Sequence, residues 1–201
     1  TGLSLARQGF DVTLFERDVP PPEGNAEEAF FSWQRRGAAQ FRHPHAFLGL
    51  MCSVLGEKYP DLLDELLAAG ARKLTFEDMV PDHLADQYQP EAGDEKLWML
   101  LCRRATIETV LRHYVAREPN LRIQSQTYVT DVIVEEAQSV QGEPTLTVTG
   151  LELTDRHNQN TKSTHSADII VNASGRADKF YQWLQHKGAD IVEQRDDAEI
   201  V

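Results

Sequence analysis

Asp11-Val12-Thr13-Leu14-Phe15-Glu16-Arg17 is a short apolar run, rich in β-branched and aromatic residues, that ends in a carboxylate. Its length and the preceding Gly9 make it a buried strand of a parallel sheet rather than a helix. Upstream, Leu3, Leu5 and Ala6 followed by Arg7, Gln8 and Gly9 read as the last turns of a helix with a glycine stop. The order is helix, glycine, strand, acid. That order closes a nucleotide-binding βαβ unit, in which an acid at the tip of the second strand accepts hydrogen bonds from the ribose of an adenine dinucleotide. Glu16 stands where that acceptor would. A surface carboxylate capping an ordinary strand would look the same, and this stretch alone leaves both readings open.

The glycine fingerprint of such a unit lies about 20 residues before the acid, whereas Gly2 stands fourteen before Glu16 and has no G-x-G-x-x-G around it. Gly2 therefore reads as a helix-interior glycine. The first strand and the phosphate-cradling loop are expected to precede residue 1, which makes the sequence a piece of a longer protein.

Composition narrows the class. The 201 residues are 41% hydrophobic, enough for one sizeable core or a main domain plus part of another. Twenty Lys and Arg stand against 32 Asp and Glu, a formal charge of −12, which argues against a nucleic-acid surface. Cys52 and Cys102 lie far apart in apolar surroundings, as buried thiols do in a reducing, cytoplasmic compartment. No CxxC, metal-spaced cluster or run of membrane-spanning length occurs.

From Asp18 to Gln40 the chain reads as a long polar connection, opened by Pro20-Pro21-Pro22. It delivers Arg42 just before a helix carrying Leu48, Met51, Cys52 and Leu55, where its fork could meet a phosphate. His43 and His45 lack a third ligand nearby and read as a hydrogen-bonding or packing pair. A second helix spans Asp61 to Ala69 with Gly70 as its stop, Lys73 to Phe76 starts a strand, and Pro81 to Asp94 is an acidic loop. Leu97 to Cys102 is a dense strand. A helix follows from about Ala105 to Arg117, with Ile107, Val110, Leu111, Tyr114 and Val115 on one face and Arg104, Glu108 and Arg112 on another at spacings of four. Residues 121–166 read as an antiparallel meander, and Ile169-Ile170-Val171 as a buried strand of the parallel type. The small residues of Asn172-Ala173-Ser174-Gly175-Arg176 would let a backbone approach a ligand closely. A last helix runs from about Lys179 to His186.

Four pieces recur in one order: Leu14-Phe15-Glu16-Arg17; Gln40-x-Arg42-His43-x-His45-Ala46-x-Leu48; Arg104-x-x-x-Glu108-x-x-x-Arg112; and Ala167-Asp168-Ile169-Ile170-Val171-Asn172-Ala173-Ser174-Gly175-Arg176. Over nearly the whole chain this resembles the FAD-dependent oxidoreductases of the flavin monooxygenase superfamily, the aromatic hydroxylase and geranylgeranyl reductase-like group. The last piece resembles that family's A-D-x-V-V-x-A-S-G-R signature, with Ile170 for the first valine and Asn172 where Asp is commoner.

The resemblance implies an α/β, Rossmann-like FAD-binding domain, a parallel sheet plus an antiparallel β-meander, lacking its first strand and glycine loop. It implies a partial FAD-binding domain over 1–190 and the start of a substrate domain over 191–201. It implies FAD as cofactor, NAD(P)H as reductant and a small-molecule substrate. Glu16 would bind the adenosine ribose, with Arg17 beside it. Arg42 and Arg104 would contact the flavin or its diphosphate, Val129 would meet the adenine through its backbone, and Ala173, Ser174 and Gly175 would line the pocket. Glu16, Arg42, Arg104, Val129 and Ser174 are thereby expected to share one cleft. No catalytic acid or base can be named, and neither substrate nor oligomeric state is legible. The reaction implied is monooxygenation, hydroxylation or epoxidation; a flavin-dependent reductase of the same fold is the alternative. Another is a non-catalytic remnant that does not bind FAD. The 201 residues made as they stand are expected to bind FAD poorly or not at all, because without the phosphate loop the arginines would hold the diphosphate alone, whereas a full-length parent would bind it. A nicotinamide-dependent dehydrogenase is disfavoured by the meander, where a doubly wound fold would continue alternating helices and strands.

Overall fold

The computed structural model describes residues 1–38, 40–138, 142, 144–175 and 179–191, and the chain divides into two compact units, Thr1–Ser125 and a second beginning at Gln126. The first contains α1 (Gly2–Ala6), β1 (Val12–Phe15), α2 (Ala26–Ser32), β2 (Pro44–Phe47), α3 (Gly49–Lys58), α4 (Pro60–Ala68), β3 (Arg72–Thr75), α5 (Asp82–Ala85), β4 (Trp98–Arg103), α6 (Arg104–Val115) and β5 (Leu121–Gln124). The second contains β6 (Thr127–Gln138), β7 (Pro144–Asp155), β8 (Thr161–Ser166) and α7 (Phe180–His186).

In the first unit β1 pairs in parallel with β5, Val12 opposite Leu121 and Phe15 opposite Gln124. Asn120 sets this register: its side-chain amide donates to the carbonyls of Ala6 and Phe10 at 2.7 Å each, and its own carbonyl accepts the Val12 N–H at 2.8 Å. Leu121–Gln124 therefore belongs to the parallel pair, which corrects its reading as the first strand of the meander. Alternation of apolar residues was the only signal there, and it does not distinguish the two neighbours. β1 itself is half-buried at all four positions rather than fully buried. Gly2 is the first residue of α1, and a Cβ there would lie 3.1 Å from Leu14 Cδ2, so the glycine lets helix and strand approach.

A three-stranded antiparallel sheet, β2-β4-β3, completes the strands of this unit. Pro44 and His45 carry no apolar alternation and give no strand signal; pairing with β4 makes Pro44–Phe47 a strand, His45 opposite Cys102. The long connection after Asp18 also contains a helix. Asn25 caps α2 by accepting from the N–H groups of Glu27 and Glu28 at 3.0 Å, with both acids in the first turn, a capping signal that the prolines masked. The helix stop at Gly70 is as expected, with φ of +97°. Cys52 and Cys102 are free, buried thiols.

α6 touches all three apolar clusters of the unit. Ala105 packs with Ala29, Trp33, Ala38 and Phe41; Ile107, Val110 and Tyr114 with Leu55, Leu66 and Leu100; Val115 with Ala6 and Leu121.

The second unit is the antiparallel meander β6-β7-β8 with α7. Ile169–Val171 is a correction: among the described residues it has no ladder partner and forms no strand, with Ile169 61% and Val171 54% exposed. Apolar composition alone does not make a strand; a paired backbone does. Arg176 and most of the segment read as a second domain, from 192 onward, lie outside the described residues.

Leu66 is fully buried whereas Leu50 is 83% exposed, so Leu66→Ala should cost about 2–5 kcal/mol in urea denaturation and Leu50→Ala almost nothing. At Gly150 a Cβ would come within 2.8 Å of the His165 carbonyl on β8, whereas at Gly56 it would make an ordinary 3.9 Å contact with Trp98. Gly150→Ala should destabilise by about 1–3 kcal/mol and speed amide exchange in β7 and β8; Gly56→Ala, in the interior of α3, should stabilise by about 0.5–1 kcal/mol.

Candidate nucleotide site

The burial of α6 on three sides leaves one polar stripe, and the best-connected charged cluster of the described residues is built on it. Arg35 lies at its centre, with a side chain 14% exposed. Its Nη1 meets Glu16 Oε2 at 2.8 Å and Asp18 Oδ2 at 3.2 Å, and its Nε meets Glu108 Oε2 at 2.8 Å. Glu108 Oε1 in turn accepts from Arg104 Nε at 2.8 Å. Glu16 and Arg104, paired in expectation only, are thus joined through Arg35 and Glu108. The Arg35 guanidinium also lies 5.1 Å over the Trp33 ring.

The local chain explains why these groups meet. Glu16 continues β1, its N–H bonded to the Gln124 carbonyl at 2.9 Å. Two residues on, the N–H of Asp18 donates to Glu16 Oε1 at 3.0 Å, and Asp18 Oδ2 accepts the Gly37 N–H at 2.9 Å. Burial pushes the Glu16 carboxyl up, but the Asp18 N–H and Arg35 outweigh it and the net shift is downward. Burial likewise works against the Arg35 cation, and Glu16 and Glu108 reverse it. Arg112, half-buried one turn beyond Glu108, is lowered by burial against the opposing charge of Glu16; its guanidinium donates to Ser125 Oγ.

Within the first unit, Arg17 and Arg42 have other partners. Arg17 is exposed, its guanidinium running over Gly37, where a Cβ would lie 3.1 Å from Nη2. Arg42 donates from Nε to the Phe30 carbonyl at 2.8 Å and from Nη2 to the Phe31 carbonyl at 3.1 Å, so it serves the C-terminal end of α2. The first N–H groups of α6 are also taken, Arg104 by the His43 carbonyl and Ala105 by the Phe41 carbonyl. In the second unit, Val129 lies on the edge strand β6 beside a bulge. Asn172 Oδ1 accepts from the Ser174 N–H at 3.0 Å and from its hydroxyl, Gly175 has φ of +88°, and Ala173, Ser174 and Gly175 are exposed. A recess of about 400 Å³ in the first unit, lined by Phe76, Met79, Val80, Pro81, Leu84, Gln87 and Tyr88, contains none of the candidate residues.

Reading the sequence alone missed Arg35 and Asp18. The one available signal was Arg35-Arg36-Gly37, a cationic pair near the end of a connection that starts with Asp18, two residues after Glu16.

Because the folded Glu16 carboxyl is lowered, its contribution is complete above the ordinary carboxylate range and is lost as pH falls through its own lower value. Glu16→Gln should cost about 2 kcal/mol at neutral pH, and the gap between the two urea midpoints should close on acidification; a gap independent of pH would refute this ionic role.

Among solved structures, the chain is similar to PqsL of Pseudomonas aeruginosa, described as a probable FAD-dependent monooxygenase, with a TM-score of 0.53 and 14% identity over 97% of this chain and 43% of that one. The PqsL complex with 2-aminobenzoylacetate gives the same score and identity over 97% and 44%. THI4 of Thermovibrio ammonificans aligns with a TM-score of 0.48 and 19% identity over 93% and 57%. The chain therefore spans less than half the length of the PqsL structures, and that likeness concerns the fold. Among curated proteins, none matches the sequence. The FAD binding domain family matches residues 4–194, and with that span the chain belongs to the FAD binding domain family.

Proposed function

We propose that the protein is the FAD-holding part of an oxidoreductase, an NAD(P)H-dependent monooxygenase that hydroxylates or epoxidises a small organic substrate. The observation that carries the reading is Glu16: a carboxylate at the carboxyl end of a parallel strand, lowered in pKa, with a side chain still 26% exposed. Ligands in open α/β sheets bind at that end. A carboxylate offers about four lone-pair sites; the Asp18 N–H and Arg35 use one on each oxygen, and the others are left for a ribose diol.

The residues fit the rest of such a cofactor by their chemistry. Arg104 and Arg17 would supply positive charge toward a diphosphate, and Arg42 would add to it only at Nη1, since its other two donor nitrogens serve α2. Val129 would meet adenine through edge-strand backbone, and Ala173, Ser174 and Gly175 would let the cofactor approach the chain. When bound, FAD supplies the redox chemistry, taking hydride from a reduced nicotinamide and passing electrons to oxygen or to substrate, while the protein orients it and excludes water. A domain that keeps the fold without the flavin is the second reading. It is favoured by the α6 N-terminus, whose first N–H groups are already bonded to His43 and Phe41 and so are not on offer to a phosphate.

Titrating FAD into the purified full-length protein and following flavin fluorescence separates these readings. Saturable one-to-one quenching, weakened about tenfold in Glu16→Gln by loss of one charged hydrogen bond, is the expected result. No saturable binding by a protein with a native circular dichroism spectrum would overturn the proposal in favour of the second reading. If FAD binds, oxygen consumption on adding NADH or NADPH with candidate substrates distinguishes a monooxygenase from a reductase.

A further inference from the structure

We infer that Arg35 is the positioning residue of the nucleotide site: it fixes the direction in which Glu16 presents its carboxylate. The inference rests on the reading of Glu16 as the ribose acceptor. Its basis is geometric. A glutamate at the end of a strand has three side-chain torsions and, left alone, samples many directions. Here both carboxylate oxygens are tied, Oε1 by the Asp18 N–H at 3.0 Å and Oε2 by Arg35 Nη1 at 2.8 Å, so the plane of the carboxylate is set from two sides.

Arg35 can do this because it is itself held. Its Nε lies 2.8 Å from Glu108 Oε2 on α6, its Nη1 is shared with the buried Asp18, and its guanidinium face covers Trp33, which is 3% exposed. Three separate pieces of chain, the end of β1, the turn after it and the middle of α6, are thereby referred to one planar cation. A lysine has the charge but not the fork, and could not hold all three carboxylates in these directions. The groups facing Glu16 are Asp18 from its own turn, Arg35 from the connection, and Arg112 from α6, with Glu108 and Arg104 behind Arg35. Of these, Arg35 both bonds and attracts the carboxylate, so its loss removes two of the influences that hold the carboxyl down and moves it up, with the Asp18 N–H and Arg112 still opposing burial.

A ribose diol donates best to an ionised acceptor, so binding should weaken as pH falls through the Glu16 pKa. FAD affinity is measured against pH for wild type, Arg35→Gln, Arg35→Lys, Glu16→Gln and the Arg35→Gln/Glu16→Gln pair, with Arg117→Gln, from the exposed pair with Glu65, as a charge-matched control. Arg35→Gln should weaken FAD about tenfold at neutral pH and move the acid limb to higher pH, whereas Arg117→Gln should do neither. Arg35→Lys should restore the acid limb but not the affinity. In the Glu16→Gln background, Arg35→Gln should cost little more, because the two act through one contact. Equal additive losses in both backgrounds, or an acid limb unmoved in Arg35→Gln, would overturn the inference. If Arg35→Gln does not fold, Arg35→Lys decides: wild-type affinity there refutes a positioning fork. Failure of wild type to bind FAD at all would remove the parent reading, and this inference with it.

Discussion

A twelve-residue helix that must bury three apolar clusters has little surface left for anything else, and the first unit is arranged around that constraint. α6 packs through Ala105 into one cluster, through Ile107, Val110 and Tyr114 into a second, and through Val115 into a third. The stripe that remains carries Arg104, Glu108 and Arg112 at spacings of four. Helix burial therefore decides where the charges can be, and the end of β1 supplies the carboxylates they meet.

Arg35 converts that arrangement into a fixed site. A cation removed from water needs its charge met by hydrogen-bonded anions, or it is strongly destabilising. Glu16, Asp18 and Glu108 meet it from different parts of the chain, and in return Glu16 is held at the strand tip with a definite orientation. In an acidic protein of net charge −12, a half-buried arginine among acids is where long-range repulsion is locally reversed.

Arg42 illustrates how one residue type serves different ends. Motif spacing alone makes it a phosphate ligand, yet its fork lies on the carbonyls of Phe30 and Phe31 at the end of α2. A helix whose existence was hidden by Pro20-Pro21-Pro22 has claimed it. The same holds for the N-terminus of α6, whose first two donors, the N–H groups of Arg104 and Ala105, are taken by the carbonyls of His43 and Phe41.

The sequence by itself determined the α/β class, the acid-ended strand, the helices on α4 and α6, the meander and the family resemblance, because each is carried by local periodicity, a cap or a short contiguous motif. Tertiary structure alone decided the rest. That Leu121–Gln124 joins β1 in parallel depends on Asn120 reaching Ala6 and Phe10, over a hundred residues away in the chain. That Pro44–Phe47 is a strand depends on β4. That Ile169–Val171 is not one depends on the lack of a ladder partner among the described residues, which no apolar run reveals. Arg35 was illegible for the same reason: an arginine in a polar connection looks solvated until three acids from distant segments close on it, and only folding brings them there.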